Sequence, residues 1–175
     1  MITRKITPFE YLMALKVFKS SIDYNKVRVH DKPYIFFQRP NSGMTPNGEI
    51  YLSGGYKEDF GLERPAIQAF FIHEMTHVWQ YQNNILNPTT AAIGEIIDHH
   101  FDYAKAYKYT LDESKDLLDY KIEQQACIIE DYYRTKFLNL LPTPGNLRND
   151  YVEVKNSQLY EKVLAKFIAN PKYKL

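Results

Sequence analysis

His73-Glu74-Met75-Thr76-His77 lies inside the run Pro65 to Asn83, whose centre reads Phe70-Phe71-Ile72-His73-Glu74-Met75-Thr76-His77-Val78-Trp79. Ile67, Phe71, Met75 and Val78 recur at helical spacing, so this run is expected to be a helix with one buried side. Each helical residue advances about 100°, which leaves positions four apart only about 40° from each other. His73 and His77 therefore present two imidazoles to one point, and Glu74 projects beside them. Two imidazoles at this spacing suit zinc, with the carboxylate as general base toward a water that the metal acidifies.

A catalytic zinc needs a third protein ligand and one open position. The longer pattern H-E-x-x-H-x-x-G-x-x-H fails, because Gln80 and Asn83 stand at its next two fixed places. Two carboxylates remain, Glu95 and Glu123. Spacing cannot choose between them, since an antiparallel helix brings either to the metal. Three features favour Glu123. Its helix, about Asp119 to Leu138, is the best defined of the remaining segments. The apolar stretch Ala126-Cys127-Ile128-Ile129 follows it, as expected of a side facing the interior. A carboxylate there needs a reason, and metal ligation supplies one. Glu130 is seven residues further on the same face. His99 and His100 are candidates to join the metal or to bind an oxyanion, and exposed histidines beside Asp98 and Asp102 are the plainer reading. Tyr103, Tyr107 and Tyr109 are further oxyanion candidates.

Composition narrows the rest. The 175 residues fit a single domain over 1–175, and 22 basic against 21 acidic side chains give a net charge of +1. That balance carries no nucleic-acid footprint. Cys127 is the one cysteine, which excludes an intrachain disulfide and a four-thiolate zinc site. Its apolar neighbours mark it as a buried, inert thiol. The 15 Tyr and 10 Phe are expected mostly to pack half-buried. Met1 to Pro8 lacks the apolar core of a secretory signal peptide, and no segment is long and apolar enough to span a membrane.

Around the central helix the chain reads as α+β. Thr7-Pro8-Phe9-Glu10 has the form of a capping box opening a helix that ends near Ser20. Alternation over residues 26–37 predicts two short strands, one of them Tyr34-Ile35-Phe36-Phe37. Arg39 to Gly48 reads as a loop. Glu49 to Ser53 is a third strand, expected to border a substrate cleft and to accept an extended peptide along its edge. A helix over 91–107, an extended piece from Tyr107 to Asp112 and a loop from Pro142 to Asn146 follow. A last helix from about Asn156 carries Leu159, Val163 and Phe167 on one face. The expected architecture is a small, mostly antiparallel N-terminal sheet, an active-site helix and a second ligand-bearing helix.

His73 to Gln80 resembles the metal helix of zincin-type metallopeptidases. Paired with Glu123-Gln124-Gln125-Ala126-Cys127-Ile128-Ile129-Glu130-Asp131-Tyr132, it resembles the metallopeptidase-like toxin domains at the C-terminal ends of bacterial type VI secretion spike proteins of the VgrG kind and in Rhs-associated effectors. The resemblance covers roughly residues 45 to 135. It implies a zincin-like fold, Zn2+ held by His73, His77 and Glu123, and Glu74 as catalytic base. It further implies an effector toxin that is cytoplasmic before delivery, leaves by a signal-peptide-independent route and acts in the target-cell periplasm. Its implied partners are a peptide or protein substrate, secretion spike proteins and a cognate immunity protein. The sequence starts at Met1 with no spike domain in front, so a free-standing effector and an excised domain are both compatible with it. Two other functions share these residues: a zincin-shaped binding module without turnover, and a zinc amidase acting on peptidoglycan.

Overall fold

The computed structural model describes residues 1–86, 107–143 and 157–173. Element labels below number the elements of those residues. A four-stranded sheet comprises β1 (Thr3–Lys5), β2 (Arg28–His30), β3 (Ser42–Met44) and β4 (Ile50–Ser53), in the spatial order β1-β2-β4-β3. The outer pairs are antiparallel, with Arg4 opposite Val29 and Gly43 opposite Leu52. The inner pair β2-β4 is parallel, with Val29 opposite Ile50. The helices are α1 (Pro8–Phe18), α2 (Pro65–Gln82), α3 (Ile122–Phe137), α4 (Ser157–Val163) and α5 (Ala165–Ala169).

The capping box forms as the sequence predicts. The Thr7 hydroxyl accepts from Glu10 N at 3.1 Å, and the Glu10 carboxylate accepts from Thr7 N at 2.9 Å. Glu10 also does something the box does not foretell. It is buried, and its carboxylate takes a bidentate pair of bonds from Arg4, both 2.7 Å, and another from Phe60 N at 2.8 Å. One cap thus ties the first strand, the first helix and the segment leading into α2.

Helix α2 occupies the centre of the molecule, and its largest contact is with α3. Every residue from Phe71 to Gln80 is buried, not one stripe. The periodicity expected a single buried side; the polar side is enclosed as well, because β3 and α3 lie against it. Val29, Ile50 and Leu52 of the sheet join α1 and α2 in one core with Ile128 and Ile129 of α3 and Val163 and Phe167 beyond it. Trp79 donates its indole N–H to the Pro171 carbonyl at 2.7 Å, and its ring meets Phe167 edge-on at 5.0 Å. The C-terminal segment is thereby fastened to the central helix.

The sheet departs from the sequence reading in several places, and β1 lies in a segment for which no strand was expected. Tyr34 to Phe37 is a turn, not a strand: Gln38 Oε1 accepts from Tyr34 N at 2.7 Å, and its Nε2 donates to the carbonyls of Ser42 and Tyr51. A buried amide there takes the place of ladder bonds, and Phe36 points into solvent. Strand β3 lies inside the segment read as a loop. Because β4 is enclosed by β2 and β3, it has no free edge; β3 is the edge strand instead. Gly48, at φ +78°, turns β3 into β4 where a Cβ would run into the Tyr81 ring. The last predicted helix is two short ones divided at Leu164. Among the described residues no helix is long and apolar enough to cross a membrane.

Candidate metal centre

The α2–α3 contact brings His73, His77 and Glu123 together, with one ligand atom from each lying within 4.8 Å of the others. Glu123 Oε2 stands 3.4 Å from Nε2 of both imidazoles. The two rings are 5.0 Å apart, inclined at 76°. This is the arrangement expected of side chains four apart on one helix meeting the first turn of another. Glu95, the rival carboxylate, lies outside the described residues, as do His99, His100 and Tyr103.

Each imidazole has its other nitrogen engaged. His73 Nδ1 donates to Glu130 Oε2 at 3.1 Å, and the second oxygen of Glu130 accepts from the Thr143 hydroxyl. His77 Nδ1 donates to Gln80 Oε1 at 2.7 Å. Partners that only accept fix the proton on Nδ1 and leave both Nε2 atoms turned toward Glu123. Such outer partners orient metal-binding histidines generally. Glu130 was legible as a residue on the Glu123 face, but its role was not; Gln80 carried no signal in the sequence.

The donor set fits a divalent cation on a direct structural ground. Glu123 Oε2 is buried with no hydrogen-bond donor among the described residues. A buried carboxylate oxygen without a hydrogen-bond partner is costly, and the two Nε2 atoms facing it would, once deprotonated, complete a set of three zinc-type ligands. Without a cation, protons take its place. Burial disfavours charge on His73, yet Cys127, Glu123 and Glu130 hold its pKa well above the ordinary value. His77 is raised by Glu123 and Glu74 against burial and His73. Burial pushes Glu123 upward, but His77 and His73 outweigh it and hold the carboxyl below the usual range. The three groups draw protons into a space that a cation would neutralise without them.

Glu74 lines the same small cleft, of about 60 Å³, together with Gly43, Met44, Thr45, Leu86 and Tyr107. Its Oε2 accepts from the Thr45 hydroxyl at 2.7 Å. Its other oxygen packs on the Cα of Gly43, where any Cβ would overlap the carboxylate. The edge strand β3 thus seats Glu74 and walls the cleft. Tyr107 stacks on His73 with centroids 6.1 Å apart. Tyr109 does not face the cleft: its hydroxyl donates to Asp131 at 2.6 Å and meets the Tyr160 hydroxyl at 2.8 Å. Cys127 is buried, and burial pushes its thiol up to about 11.

Fold and site together define an α+β domain whose two central helices carry a buried His–His–Glu cluster of metal-binding geometry. No family model matches the chain. The type VI secretion system spike protein VgrG2b of Pseudomonas aeruginosa is 38% identical over 135 residues, which are 76% of this chain and 13% of that protein. The solved effector domain of Pseudomonas aeruginosa VgrG2b aligns with TM-score 0.65 and 31% identity, over 94% of this chain and 81% of that one. The chain belongs to the family of the VgrG2b effector domain.

Proposed function

We propose that the chain is a zincin-like domain over 1–175, a zinc-dependent metallopeptidase that acts as an effector toxin of a type VI secretion system. The observation that carries the chemistry is Glu123 Oε2, without a hydrogen-bond partner among the described residues, 3.4 Å from two imidazole nitrogens and in the same cleft as Glu74. His73, His77 and Glu123 would hold the zinc. When bound, zinc supplies Lewis acidity, polarising a carbonyl and lowering the pKa of water.

The remaining work falls to the chain's own groups. Glu74 accepts a proton at its carboxylate and returns it to the departing amine. Thr45 and Gly43 keep that carboxylate aimed into the cleft. Strand β3 supplies the edge along which an extended peptide adds, a role the sequence reading assigned to the neighbouring strand. Backbone pairing of that kind selects for an extended main chain more than for particular side chains.

The likeness to VgrG2b supports delivery on or beside a secretion spike, by a route that uses no signal peptide; the periplasm of a target cell is the proposed place of action. A peptide or protein is the substrate, and a cognate immunity protein is the expected guard of the producing cell. Incubation with a pool of unstructured peptides tests the reading. Wild type with zinc is expected to cleave them, and Glu74→Gln to keep zinc but lose about 100–10,000-fold in rate. Full activity in Glu74→Gln would remove Glu74 from the chemistry and the reading with it.

A further inference from the structure

Gln80 and Gln125 are buried polar side chains that the reaction does not use. They form one hydrogen-bonded chain with an unambiguous direction. Gln125 Nε2 donates to the Tyr120 carbonyl at 2.7 Å, which can only accept. That leaves Gln125 Oε1 to accept from Gln80 Nε2 at 3.0 Å. The same Gln80 nitrogen donates to the Ile122 carbonyl at 2.9 Å. Gln80 Oε1 is then left facing His77 Nδ1 at 2.7 Å. Flipping Gln80 would set oxygen against oxygen at two of these contacts, and flipping Gln125 would set its oxygen against the Tyr120 carbonyl and its NH2 against that of Gln80. Two backbone carbonyls at the start of α3 therefore dictate which nitrogen of His77 carries its proton.

We propose that Gln80 and Gln125 act as a positioning relay, which fixes His77 with its proton on Nδ1 and at the same time ties α2 to the residue preceding Glu123. This rests on the metal-site reading for its purpose, though not for its geometry. The relay sets two things with one bond chain: the direction of the His77 Nε2 lone pair and the approach of Glu123 to it. His73 is served differently, by the carboxylate of Glu130. The site thus holds one imidazole with an anion and the other with a neutral amide.

Gln125 touches no metal ligand, so it separates a relay from simple packing. Zinc affinity is to be measured by chelator competition on the folded full chain for wild type, Gln80→Leu, Gln125→Leu and the double variant, with Gln124→Ala as control. Gln124 lies on the same helix and bonds instead to the Lys108 carbonyl and to Lys121 N. Gln80→Leu is expected to weaken zinc about 10–100-fold. Gln125→Leu should weaken it by at least about 3-fold, and the double variant by little more than Gln80→Leu alone, as for members of one network. Gln124→Ala should leave affinity unchanged. Unchanged affinity in a folded Gln125→Leu, or full additivity in the double, overturns the relay.

A second readout needs no metal. In nitrogen-15 NMR of the metal-free protein, His77 should show a protected Nδ1–H proton in wild type that is lost in Gln80→Leu. Absence of that proton in wild type also overturns the relay. Its presence in a protein that takes up no zinc would keep the relay and discard the metallopeptidase.

Discussion

Two carboxylates withdrawn from solvent sit eight residues apart on α3, and they are treated in opposite ways. Asp131 is fully satisfied: one oxygen accepts from the Tyr109 hydroxyl at 2.6 Å and the other from Thr143 N at 2.5 Å. Glu123 has one oxygen facing two imidazoles and no donor among the described residues. Burial, with Glu130 adding repulsion, lifts Asp131 to about 7, whereas two neighbouring imidazoles hold Glu123 low. A buried acid with all its partners is a structural staple. One that lacks them, beside two imidazoles, is the oxygen that the proposed zinc would take up.

The comparison predicts that damage divides cleanly between folding and metal. Asp131→Leu would strand the Tyr109 hydroxyl and the Thr143 amide, at a cost of about 3–5 kcal/mol by urea unfolding. Glu123→Leu in metal-free protein should cost far less. Equal losses at the two sites would erase the distinction.

The pH dependence follows from the sign of the Asp131 shift. Its folded value, about 7, lies above its unfolded value near 3.8. Its contribution to stability is therefore full below about pH 4 and is lost as pH rises through about 7, by at most about 4 kcal/mol. Asp131→Asn should flatten that fall when unfolding is followed from pH 4 to pH 8. An unchanged pH profile would show that Asp131 is charged in the fold.

Zinc should sharpen the contrast from the other side. At free zinc about 100 times the dissociation constant, wild type and Asp131→Asn should each gain about 2.7 kcal/mol, and Glu123→Gln nothing. The smallest effect belongs to Tyr109→Phe, which removes a single donor to Asp131 and should cost about 1–2 kcal/mol by thermal unfolding, with zinc affinity unchanged.

How much of this the sequence carried depends on range. The capping box at Thr7, the span of α2 and the span of α3 are written in local periodicity, and their bounds fall within a few residues of those expected. The His73–His77 pair was legible because helix geometry alone makes them neighbours. Glu123 was legible because an acid heading an apolar stretch needs an explanation. The sheet was legible in part: the strands at 28–30 and 50–53 lie in segments expected to be extended, whereas Thr3–Lys5 and Ser42–Met44 are too short for alternation to speak, and Gln38 replaces the expected Tyr34 to Phe37 strand with side-chain bonds. The expected cleft border was one strand off for the same reason, since the spatial order of β3 and β4 is set by long-range pairing. Gln80, Gln125 and Thr45 escaped notice because amides and hydroxyls acquire their roles only from what folding sets against them.

The most direct test of the central claim is native mass spectrometry of the purified chain after zinc is supplied and excess removed. Wild type is expected to carry one zinc per chain, and Glu123→Gln none. A wild type that stays metal-free, or a Glu123→Gln that binds zinc as wild type does, would contradict the assignment of the α2–α3 cluster as a zinc site.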